Sequence, residues 1–188
     1  MVSVNVAQLL QEGPGAVRDF DFAERLPDPD NDLHMRGPIR GRAHLTRTSR
    51  GILVHADHAA MVELECARCL SDVRLRVVGS FDEEFLPTTD IRTGVPVDEE
   101  PEERDHLRID EHHEINLDEV LRQTMLTNMP LRPLCETMCP GLCPTCGGRL
   151  DNQHPTHAEP TPQAVGPDKI SPFARLADLL SDDGERTN

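Results

Sequence analysis

Four cysteines, Cys135, Cys139, Cys143 and Cys146, fall within the twelve residues 135–146, and their spacing governs how this part of the chain can fold. Cys143-Pro144-Thr145-Cys146-Gly147-Gly148 is a knuckle. Two thiolates two residues apart can meet one ion from a tight turn, and the proline and glycines permit that turn. Backbone amides facing the sulfurs offset their charge. A zinc ion needs four such ligands in a tetrahedron at about 2.3 Å. One short segment supplies four, so a local structural zinc site on Cys135, Cys139, Cys143 and Cys146 is expected. Other ligand sets are open. Cys66 and Cys69 form a second pair two residues apart, which can join Cys143 and Cys146 in a ribbon-type site. His154 and His157 can complete either set. An iron–sulfur cluster also accepts four cysteines, but the knuckle points to zinc.

The preference for metal over disulfides depends on compartment. The opening Met-Val-Ser-Val-Asn-Val-Ala-Gln-Leu-Leu has no basic region followed by an apolar run, so no signal peptide is read there. No apolar stretch approaches the roughly 20 residues of a membrane span. A cytoplasmic location and no membrane partner are expected. In a reducing compartment, six cysteines suit a metal.

Period-two alternation is the clearest pattern elsewhere. Residues 38–47 read as a strand, followed by a turn at Thr48–Gly51. A second strand runs from Ile52 to Glu65, where Val62, Leu64 and Cys66 alternate with Glu63 and Glu65. Val73, Leu75 and Val77 alternate with Arg74 and Arg76 in a third. Cys66 to Ser71 then occupies a hairpin turn. Asn116 is an N-cap candidate with Glu119 three residues on. Leu117, Val120, Leu121, Met125 and Met129 share one helical stripe, closed by Pro130. A short helix is read from Ser171, with Phe173, Leu176, Ala177 and Leu180 as its apolar face. The expected class is α+β: a small antiparallel β-sheet meander with a few helices and a C-terminal zinc-knuckle segment. Its parts are a β-rich region 1–86, an acidic linker or long loop 87–114, a helix plus cysteine cluster 115–150, and an irregular segment with a short helix at 151–188, together one domain.

Charge separates the function classes. The net charge is −15, and residues 82–119 hold 15 acids against 3 arginines. Such a chain repels nucleic acid at long range and suits a basic protein partner. Residues 36–76 reverse the balance, with 8 arginines and 4 acids, so local contact with RNA phosphate stays open. There is no Trp or Tyr and there are only 5 Phe, which leaves few rings for base stacking. Asp110-Glu111-His112-His113-Glu114 lacks the spacing of a metalloprotease and reads as a solvated acidic stretch. No catalytic triad or dyad emerges. Cys66-Ala67-Arg68-Cys69 precedes a strand, whereas a redox pair would need a helix N-terminus.

Several segments occur in a recognisable order: Asn5-Val6-Ala7-Gln8-Leu9-Leu10, Gly51-Ile52-Leu53-Val54, Cys66-Ala67-Arg68-Cys69-Leu70, Leu117-Asp118-Glu119-Val120, Cys139-Pro140-Gly141-Leu142-Cys143-Pro144-Thr145-Cys146-Gly147 and Pro172-Phe173-Ala174-Arg175-Leu176. Together they resemble the bacterial YceD family of large ribosomal RNA subunit accumulation proteins, over nearly the whole chain. The resemblance implies a non-enzymatic role in ribosome assembly, acting on large-subunit assembly components with no small-molecule substrate. It also marks a departure: many relatives carry a further cysteine pair where this chain has His154 and His157. A zinc-dependent RNA-processing enzyme and a thiol/zinc redox sensor are the competing expectations.

Overall fold

The computed structural model describes residues 1–157 other than 29, 31, 92, 97–106, 152 and 156. The helix expected from Ser171 and most of the stretch 151–188 lie outside the described residues. The chain divides into two compact units, Met1–Gly141 and Leu142–Asn188.

Unit 1 is dominated by sheet. In chain order come β1 (Ser3–Asn5), α1 (Ala7–Gln11), β2 (Val17–Glu24), β3 (Ile39–Arg47), β4 (Ile52–Glu65), β5 (Asp72–Pro87), β6 (Arg108–Ile109), β7 (Glu114–Asn116) and α2 (Asp118–Asn128). The seven strands form one sheet in the order β1-β7-β6-β5-β4-β3-β2. Every pairing is antiparallel except β5 with β6. The small α+β meander is therefore corrected. The three strands expected from alternation are present as β3, β4 and β5, but they sit inside a sheet of seven, beside two helices of 5 and 11 residues. β2 lacks an aliphatic signature: its apolar face rests on Phe20 and Phe22 between Asp19, Asp21 and Glu24. β6 and β7 have 2 and 3 residues, too few to carry a period.

β4 and β5 form the long hairpin that organises the unit, 14 and 16 residues joined by the turn at 66–71. Alternation fixes its register. Ile52, Val54, Ala56, Ala60 and Val62 are buried on β4, and Val73, Val77, Phe81 and Phe85 on β5. Ile52 lies opposite Phe85 and Ala56 opposite Phe81. A slip of one residue would turn both sets outward. α2 covers this face with Val120, Leu121 and Met125. Its start differs slightly from the capping-box reading. Leu117 is the N-cap, and Asn116 Oδ1 instead accepts from the Asp118 N–H at 2.8 Å. Asp118 Oδ1 in turn accepts from the Val2 N–H at 2.6 Å, tying the N-terminus to the helix.

The described ends of the stretch read as an acidic linker belong to this sheet. Thr88 N–H donates to the Ile109 carbonyl at 3.1 Å, and Leu107, Ile109 and Ile115 are buried. Isolated apolar residues among acids suffice, because each reaches a core that distant strands have already built.

His58 is an exception on the apolar face of β4. It lies between Gly41 of β3 and Gly79 of β5, is 4% exposed, and neither ring nitrogen has a hydrogen-bond partner among the described residues. A Cβ on Gly79 would stand 2.9 Å from His58 Nε2, so the ring occupies space that only glycine leaves open.

Candidate metal centres

The hairpin turn after β4 is built to present sulfur. Cys66 N–H donates to the Ser71 carbonyl at 2.8 Å and Leu70 N–H to the Cys66 carbonyl at 3.0 Å, which closes the turn and aims both thiols to one side. The segment leaving α2 is bound to it: Ala67 N–H donates to the Pro133 carbonyl at 2.8 Å. Pro130 and Pro133 stop the helix and carry the chain across to Cys135 and Cys139. The Sγ atoms of Cys66, Cys69, Cys135 and Cys139 consequently all lie within 4.8 Å of one another, and three of the four residues are buried. Cys66 and Cys139 are 3.8 Å apart, Cys69 and Cys135 3.6 Å. Those separations exceed the roughly 2.05 Å of a disulfide. They match the edge of about 3.8 Å in a tetrahedron with 2.3 Å metal–sulfur bonds.

The electrostatics call for a cation. Burial opposes ionisation of Cys66, but the backbone N–H groups of Arg68, Cys69 and Cys135 outweigh it and hold this thiol at about 6. Ser71 lowers Cys69. Burial, with the neighbouring sulfurs, pushes Cys139 up to about 12 and raises Cys135 as well. Two sulfurs are thus prepared to be thiolates while the other two resist further negative charge. A divalent ion among them removes that conflict, so the residues fit a metal.

Unit 2 holds a second set. Cys143 Sγ, Cys146 Sγ and a ring nitrogen from each of His154 and His157 also lie within 4.8 Å of one another. Cys143 N–H donates to the Gly148 carbonyl at 2.7 Å and Gly147 N–H to the Cys143 carbonyl at 2.9 Å. Gly147 takes φ +70°, the left-handed value that lets the turn close behind the second cysteine. The backbone N–H groups of Cys146 and Thr145 lower Cys143, against burial. Cys146 Sγ and His154 Nε2 are 3.2 Å apart. This set is more exposed than the first.

The four cysteines 135, 139, 143 and 146 are therefore shared between two groups. The structure brings Cys135 and Cys139 to Cys66 and Cys69, and Cys143 and Cys146 to His154 and His157. What the sequence conceals is the route of the chain. The proline-flanked exit of α2 returns to a turn about 70 residues earlier, and no local pattern encodes that return.

The arginines between 36 and 76 are mostly occupied. Arg42 pairs with Asp21 at 2.7 Å, Arg50 with Glu84 at 2.7 Å, and Glu63 holds both Arg36 and Arg74. Glu63 and Glu84 lie below their ordinary range because of these guanidinium partners, and for Glu84 first of all because of the Thr48 hydroxyl. Asp110 to Glu114 forms a tight turn closed on the Asp110 carboxylate, and no metal group forms there among the described residues.

A sequence profile described as "Large ribosomal RNA subunit accumulation protein YceD" matches residues 54–180. The chain belongs to the YceD family. An uncharacterized protein of Mycobacterium tuberculosis is 34% identical over 138 residues, covering 73% of this chain and 59% of its own length. An uncharacterized protein of Mycobacterium leprae is 28% identical over 155 residues, 80% of this chain and 63% of its own. The chain thus spans about three fifths of the length of these relatives. No solved structure matches it. The profile covers both pairs of knuckle cysteines and the two histidines. No described helix is long and apolar enough to cross a membrane.

Proposed function

We propose that this YceD-family chain is a non-enzymatic cytoplasmic factor that supports accumulation of large-subunit ribosomal RNA, with structural zinc holding its knuckles. The family match carries the first half of the reading. The ligand sets support the second. All-thiolate and mixed thiolate–imidazole tetrahedra suit zinc, and four protein ligands leave no open position at which a metal could activate water. The metal would fasten the β4–β5 turn to the segment after α2, adding to the hydrogen bond from Ala67 to Pro133.

For the partner, the acidic segment favours a basic protein of the assembling large subunit. The pairing of Arg36, Arg42, Arg50 and Arg74 with carboxylates leaves less positive charge for RNA than the sequence suggests. Neutralising Asp98, Glu99, Glu100, Glu102 and Glu103 together should then weaken capture of large-subunit components and reduce its salt sensitivity. Tighter capture would instead favour direct RNA binding.

The role itself is tested by depletion. Cells lacking the protein should show a fall in large-subunit relative to small-subunit ribosomal RNA, restored by the wild-type chain. An unchanged ratio with the protein absent would refute the reading.

A further inference from the structure

The two knuckles share one backbone device and differ in one residue. Each needs a left-handed residue directly after its second cysteine. After Cys146 this is Gly147, with φ +70°. After Cys69 it is Leu70, with φ +58°. Glycine adopts that conformation freely, while a residue with a Cβ is disfavoured there. Leu70 does not recover the cost by packing, because it is 61% exposed. It thus goes against both the backbone and the hydrophobic effect.

It is not isolated. Leu131, 100% exposed, and Met138, 83% exposed, stand on the segment that brings Cys135 and Cys139 to the same sulfurs. Leu131 and Met138 are the two most exposed large apolar residues of the described chain, and Leu70 ranks next after Met1. Arg68 and Arg132 flank them on the same two loops. Neither guanidinium has a hydrogen-bonding or ionic partner among the described residues, in contrast to the paired arginines of the sheet.

We propose that the loops around Cys66, Cys69, Cys135 and Cys139 form a docking surface for an acidic protein segment that inserts apolar side chains between Leu70, Leu131 and Met138 and places carboxylates on Arg68 and Arg132. Exposed aliphatic residues on the same loops as two unpaired arginines, which outnumber the one acid there, Glu136, are the makeup of a protein-binding patch. RNA would satisfy the arginines but offers aliphatic side chains little, and no aromatic residue is present on these loops for stacking. A symmetric second copy would bring like charges together. A metal on the four sulfurs would hold both loops, so an incoming segment would meet a preformed surface. This surface is separate from the acidic segment and does not depend on the accumulation role.

Two measurements on the zinc-loaded full chain test it. Leu70→Gly should raise the urea midpoint, since it relieves the left-handed strain; a lowered or unchanged midpoint would mean that Leu70 serves the fold, and would overturn the proposal. For binding, 12-residue peptides displayed on phage are selected on the immobilised protein, and the enriched sequences are remade with a fluorophore for anisotropy. The expected peptides carry net negative charge and at least two large apolar residues. Their affinity should fall at least tenfold on Leu131→Ser with Met138→Ser, and on Arg68→Gln with Arg132→Gln, with metal content unchanged. Basic peptides, no enrichment, or equal affinity for the variants would each overturn it. So would tighter binding of a single-stranded RNA 12-mer with the same dependence, or a dimer in sedimentation that the Leu131→Ser and Met138→Ser substitutions dissolve.

Discussion

Cys139→Ser is expected to cost the protein one metal ion and to lower its stability more than any other single change near the knuckles. Cys139 is fully buried, and its Sγ completes the set with Cys66, Cys69 and Cys135. Structural zinc contributes about 10–16 kcal/mol to folding in zinc-finger peptides, so losing one ligand in four should remove on the order of 3 kcal/mol even where three sulfurs still hold the ion. Where the metal is lost, the serine hydroxyl is also left buried with no ion to offset its desolvation. Urea denaturation followed by far-ultraviolet circular dichroism reads the effect. The neighbouring Met138→Ala, on an exposed residue, should leave the midpoint within about 0.5 kcal/mol of wild type. Cys139→Ser with a wild-type midpoint would mean that the four sulfurs hold nothing that matters to the fold.

A second large effect belongs to pH. Burial lowers the pKa of His58, opposed by the Asp57 carboxylate, so the folded chain keeps this imidazole neutral where the unfolded chain protonates it. The sign follows from proton counts. Below the unfolded value of about 6.5, the unfolded state binds a proton that the folded state refuses, so stability falls as pH falls, by up to about 1.4 kcal/mol per pH unit until the folded value is reached. His58→Phe removes this dependence and fills the space beside Gly41, Gly79 and Phe81. The variant should match or exceed wild type at pH 8 and gain on it progressively as the pH falls below about 6.5. Any metal held by the cysteines would be lost alike from both proteins on acidification, so the difference isolates His58. Parallel stability curves would show that the ring takes up its proton as readily in the folded state as in the unfolded one.

The sequence discloses long elements and short-range chemistry, and fails where distant segments meet. β3 and β4, and the turn carrying Cys66 and Cys69, are legible from alternation and turn residues. So is the stripe of α2, whose Leu117, Val120, Leu121 and Met125 are all buried. β6 and β7 are not. Ile109 and Ile115 are isolated apolar residues, and they are buried through pairing with β5 and β1, which no local pattern shows. The cysteine spacing marks residues that the structure gathers into candidate metal groups, but it favours a local grouping. Its partition is decided by the hydrogen bonds that fasten Ala67 to Pro133 and Cys135 to Cys66, between residues about 70 positions apart. The histidines' part depends on a turn, in which His154 N–H donates to the Asp151 carbonyl at 3.1 Å.

Metal stoichiometry tests the partition into two ligand sets most directly. Protein purified without chelator is analysed for zinc as wild type, Cys66→Ser and Cys146→Ser. Two independent sets predict about two ions per chain in the wild type and about one in each variant, since each substitution disables only its own set. A single site on Cys135, Cys139, Cys143 and Cys146 predicts one ion, retained in Cys66→Ser and lost in Cys146→Ser. That second pattern would contradict the two-centre structure.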